Sequence, residues 1–130
     1  MASAIYPKAK EALLSADIDL TADTIKIALL TAAYTYSSSH QYRSSITAAT
    51  VATSTALSSV SVTNGVFDAA DITLTAVTTG YTVTAIAIYK DTGSSSTDPL
   101  IAYIDGMSQA TNGGDIAIAW DNGSNKIFAL

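Results

Sequence analysis

The chain has 130 residues, no cysteine and a net charge of −5. This is the size of one domain, able to bury roughly two-thirds of its unfolded surface. A disulfide framework, a thiolate nucleophile and a zinc–thiolate site are excluded, and with Arg43 the only arginine and the five lysines scattered, no basic stripe exists for nucleic acid or a membrane surface.

Met1–Lys8 lacks a basic segment followed by an apolar run, so no secretory signal is expected there. No apolar stretch approaches the ~20 residues of a membrane span. Residues 1–20 read as an N-terminal helical segment. Pro7 suits a first helical turn, where its missing N–H costs nothing, and the Ala, Lys, Glu and Leu residues that follow favour helix. So short a helix must pack on something to persist.

From Thr24 onward the pattern is β. Thr24–Thr31 is an apolar run that begins with alternation. Residues 34–50 then form a long polar segment with Tyr34, Tyr36, Tyr42, His40 and three consecutive serines, expected to be an extended loop or arm. Loops of this length are often functional. Alternation returns at Leu57–Val62, and Asn64-Gly65 is a strong hairpin signal, because both turn residues must accept positive φ. Asp71–Val77, Tyr81–Tyr89, Leu100–Asp105, Asp115–Trp120 and Lys126–Leu130 are further strands. Turns rich in Gly, Ser, Asn and Asp separate them, among them 91–99, 112–114 and 121–125. The expected fold is therefore all-β: one domain over 1–130, an antiparallel β-sandwich of about seven or eight short strands with a short N-terminal helix and an extended arm. Few lysines or prolines protect its edges, so a neighbouring subunit is expected to cover one.

Little in the chain points to catalysis. His40 is the only histidine and Glu11 the only glutamate, and neither has partners at catalytic spacing. No nucleophile elbow or phosphate-binding glycine pattern occurs. Asp68 and Asp71 read as turn residues, and Asp121–Asn125 lacks the downstream glutamate of a calcium loop. No catalytic residue, cofactor or metal is expected. Tyrosine combines apolar area with a polar tip and is enriched at interfaces. Tyr34, Tyr36, His40, Tyr42 and Arg43 are accordingly the expected partner-binding residues.

Several segments carry a resemblance. Tyr6–Leu14 runs into Ile18-Asp19-Leu20 and Asp23–Leu29; Tyr34–Ser37 leads to His40-Gln41-Tyr42. Later come Asn64–Asp71, Ile88–Gly93, Leu100–Asp105, Asn112–Ile116 and Trp120–Gly123. In order and spacing these resemble small structural proteins encoded by tailed bacteriophages, over nearly the whole chain. The resemblance implies a virion component assembled in the host cytoplasm. It further suggests a cement or decoration subunit on the outer capsid surface, bound to the major capsid protein as a homo-oligomer, with a trimer favoured. No catalytic residue comes with it. The other readings are a phage tail or neck component and a glycan-binding adhesion module, for which Trp120 would be the platform.

Overall fold

The computed structural model describes residues 4–120 and 127–129. In chain order these form β1 (Ala4–Ile5), α1 (Pro7–Leu14), β2 (Ile25–Leu30), β3 (Thr50–Thr53), β4 (Ser61–Thr63), β5 (Val66–Asp68) and β6 (Ile72–Leu74). Then come β7 (Thr82–Val83), β8 (Ala85–Lys90), β9 (Leu100–Ile104), β10 (Gln109–Ala110), β11 (Ile116–Ile118) and β12 (Phe128–Ala129). The fold is all-β with one short N-terminal helix, as the residue pattern predicts.

A five-stranded antiparallel sheet, ordered β1-β9-β8-β2-β3, is the centre of the molecule. Its three inner strands read IKIALL, AIAIYK and LIAYI, and nearly every residue in them is buried, on both pleat faces. That is why their sequences are apolar on both faces apart from Lys26 and Lys90, instead of alternating cleanly. β2 and β8 pair over six residues from Ile25↔Lys90 to Leu30↔Ala85. Smaller ribbons complete the core: β12-β5-β4, β11-β6 and β10-β7. Their inward residues Phe67, Leu74, Val83, Ile116 and Ile118 join the same hydrophobic cluster as the central sheet. α1 belongs to that cluster through Ala9, which is fully covered.

The strands are shorter and more numerous than the alternation suggested, for local reasons. The expected run Tyr81–Tyr89 divides at Thr84, whose N–H donates to Leu30 O at 2.8 Å, so β7 joins β10 while β8 enters the central sheet. Leu57–Val62 pairs only from Ser61, because Leu57 N–H donates to Ile25 O and Ser59 sits at φ +52°. Asp71–Val77 pairs only over β6, with Ala76 at φ +51°. The Asn64-Gly65 turn has φ of +53° and +79° and closes on the Thr63↔Val66 pair, the geometry its residues were expected to adopt. The turn expected at 121–125 lies outside the described residues.

Residues 34–50 begin as the expected long loop, which lies against the body instead of reaching out as an arm. Tyr34, Ile46 and Ala49 are buried, two short 3-10 turns span Arg43–Ser45 and Thr47–Ala49, and the chain then enters the sheet as β3. Apolar Ile46, completely inaccessible, is the anchor that polar composition hid.

Candidate partner-binding surface

Tyr6 follows β1 directly, and its N–H donates to Ile101 O at 3.0 Å, which sets its ring beside β9. The ring is wholly buried. Its hydroxyl lies 2.8 Å from the Tyr34 hydroxyl, which in turn lies 2.7 Å from His40 Nδ1. With Nδ1 unprotonated, His40 accepts from Tyr34, and Tyr34 accepts from Tyr6. Both phenol hydroxyls thereby have a partner for the proton they donate. Tyr36 and Tyr103 complete the cluster, with ring centroids 5.0 Å apart for Tyr6–Tyr36, 5.5 Å for Tyr36–Tyr103 and 5.6 Å for Tyr34–Tyr103. Burial pushes the phenols of Tyr6, Tyr34 and Tyr103 above the ordinary tyrosine range.

The second half of the segment is locked by Asp98, whose side chain is completely inaccessible. Arg43 Nε donates to its Oδ2 at 2.7 Å, while the Thr92 N–H and hydroxyl donate to Oδ1 at 2.6 and 2.8 Å. The Arg43 guanidinium also lies 5.0 Å from the centre of the Tyr89 ring. Backbone bonds reinforce the lock: Arg43 N–H to Asp98 O at 2.8 Å, Leu100 N–H to Gln41 O at 2.8 Å and Ser44 N–H to Ser95 O at 2.9 Å. Burial by itself works to raise the Asp98 pKa. The Thr92 and Arg43 hydrogen bonds outweigh it, and the carboxyl titrates below the usual carboxylate range.

Between α1 and this lock runs an open groove, formed by two adjoining clefts of about 270 and 220 Å³ that share Lys8, Ala12, Asp17 and Gln41. Tyr42 stands at its side, 38 % exposed. The charges along it are largely paired already: Lys8 Nζ with Glu11 at 3.2 Å, and Lys90 Nζ with Asp23 at 3.1 Å and with Asp17 O at 2.9 Å. The groove therefore offers an exposed aromatic, an amide and hydroxyls without a strong field of one sign.

The five residues expected to contact a partner thus separate. Tyr34 is core, Tyr36 and His40 are half-buried members of the aromatic cluster, and Arg43 is engaged by Asp98. Only Tyr42 presents its side chain outward beside a cleft. The residues that hold the surface in place include Tyr6, Tyr103 and Asp98, none of them singled out by local sequence. Asp98 lies in a Ser/Thr-rich turn that looks like any other, and its role depends on Arg43, 55 positions away. Trp120 is 8 % exposed, and its ring N–H donates to Ala70 O at 3.1 Å, so it is a core residue and no sugar platform. Among the described residues no group of three or more His, Asp and Glu side chains is placed to hold a metal. No family model matches the chain, and no curated protein matches it in sequence.

Proposed function

We propose that this protein is a non-enzymatic structural subunit of a tailed-bacteriophage virion, one that binds the outside of the capsid and stabilises it as a cement or decoration protein. The resemblance spanning Tyr6 to Gly123 carries this reading. The physical character of the surface is compatible with it. A cement subunit must hold a rigid contact face against several capsid subunits, and rigidity keeps the entropy cost of docking small. Here the segment bearing Tyr42 is pinned on one side by the tyrosine–histidine chain and on the other by the Asp98 lock. A homotrimer bound to the major capsid protein around a symmetry axis would multiply weak contacts of this kind into firm attachment.

Cryo-electron microscopy of the parent virion tests the proposal. Density for this chain on the outer capsid at three-fold or quasi-three-fold positions is the expected result. Density in the tail or neck would overturn the capsid assignment while leaving the virion role.

A further inference from the structure

The chain contains three Asn-Gly pairs, at 64–65, 112–113 and 122–123. The first two lie among the described residues, in unlike surroundings. Asn64-Gly65 is the turn of the β4–β5 hairpin, with Thr63 and Val66 paired directly across it. Any large change in the Asn64 backbone would break that pairing. Asn112-Gly113 instead connects β10 to β11, strands that belong to different ribbons. It hangs between two fixed points. Thr111 exchanges hydrogen bonds with Tyr81 through its N–H (2.9 Å) and its hydroxyl (3.0 Å to Tyr81 N). Gly114 O accepts from Val77 N–H at 3.0 Å. Asn112 and Gly113 are both exposed, Gly113 has φ +82°, and open space surrounds the place where its side chain would be.

The Asn112 side chain folds back over the following backbone. Its Oδ1 accepts the Gly114 N–H at 2.9 Å, and a Cβ built on Gly114 would meet that oxygen at 3.0 Å and the side-chain carbonyl carbon at 3.9 Å. A donor on Oδ1 polarises the carbonyl and stands ready for negative charge developing on that oxygen. The adjacent nucleophile, Gly113 N, carries no side chain to obstruct its approach.

We propose that Asn112 is a site of spontaneous covalent modification, forming a succinimide with Gly113 and then isoaspartate or aspartate. Gly113 N loses its proton and attacks Asn112 Cγ. The new N–Cγ bond forms, the Cγ–Nδ2 bond breaks, and ammonia leaves with the proton. Water then opens the ring at either carbonyl, so one water is consumed and one ammonia released overall, with no oxidant or reductant. Each event adds one negative charge. The isoaspartyl product also places an extra methylene in the backbone between the anchors at Thr111 and Gly114, straining the Val77–Gly114 hydrogen bond.

The test is ageing of the full-length folded protein at mildly alkaline pH, followed by peptide mapping that resolves asparagine, aspartate and isoaspartate at each position. Isoaspartate is expected to accumulate at Asn112 at least several-fold faster than at Asn64, and Asn112→Gln should abolish the faster of the two signals. Equal rates at the two sites, or faster reaction at Asn64, would overturn the proposal. Ageing of the two corresponding short peptides separates structure from sequence. Their rates should lie closer together than those in the folded protein, and an undiminished preference for Asn112 in the peptides would remove the fold from the explanation.

Discussion

Tyr34 and Tyr42, eight residues apart, differ completely in what their loss should do. The Tyr34 hydroxyl links buried Tyr6 to His40. In Tyr34→Phe the Tyr6 hydroxyl remains inside without its partner, a loss of about 1–3 kcal/mol. Denaturant titration should show it, and adding Tyr6→Phe should restore part of the stability, since the stranded group is then gone. Tyr42→Ala, at the exposed site, should change stability by no more than about 0.5 kcal/mol while lowering capsid occupancy. Full occupancy by that variant would remove Tyr42 from the contact. Tyr36 makes a poor probe of binding, because its ring packs on Tyr6 and Tyr103 and its removal disturbs the core.

Acid and alkali should act on different groups. Asp98 and Asp91 titrate below their ordinary range, Asp98 because its hydrogen bonds overcome burial and Asp91 through the Lys26 ammonium 2.7 Å away. A depressed folded pKa contributes stability that is present above the unfolded value and lost as pH falls through the folded one. Stability should therefore decline below roughly pH 4, and Asp98→Asn should flatten that decline. Tyr6, Tyr34, Tyr89 and Tyr103 are raised by burial. A raised folded pKa gives stability that is intact below the unfolded value, near pH 10, and lost above it. These phenols should ionise only together with alkaline unfolding, seen as tyrosinate absorbance rising in step with loss of circular dichroism.

At the scale of elements, β2 and β8 dominate. Ile27, Leu29, Leu30 and Ile88 are fully covered, and Leu29→Ala should cost about 2–5 kcal/mol, the range for emptying a packed site. The Asn64-Gly65 turn tests a different quantity. Gly65→Ala places a Cβ at φ +79° and should destabilise by about 1 kcal/mol with little change in the dependence on denaturant. The N-terminal helix shows why a short element can persist: it is held by the burial of Ala9 beside Tyr6, and an isolated peptide of its eight residues should be unstructured in water.

For the whole molecule, the central sheet ends in β1 and β3. Neither strand contains lysine or proline, the residues that commonly discourage edge pairing. A neighbouring copy covering such an edge is consistent with the proposed trimer, and sedimentation velocity at micromolar concentration should find a species larger than a monomer. A strictly monomeric protein would count against self-association in the free state.

Much of the architecture was determined by the sequence alone. The largely apolar run Ile25–Leu30 suits a strand covered on both faces, Asn64-Gly65 suits a tight hairpin turn, and Pro7 with its Ala, Lys, Glu and Leu neighbours favours a first helix; each signal is local and survives without knowledge of the rest. The tertiary structure alone decided where strands divide, as at Thr84, and which tyrosines face outward. It also decided that residues 34–50 fold back onto the body. Those outcomes depend on partners far along the chain: Tyr6 with Tyr34, Arg43 with Asp98, Thr84 with Leu30. Composition near Tyr34 describes a polar loop, but burial is set by the total surface brought together. Ile46 and Tyr34 are buried although the loop around them is rich in hydroxyls, the outcome that favours covering apolar surface.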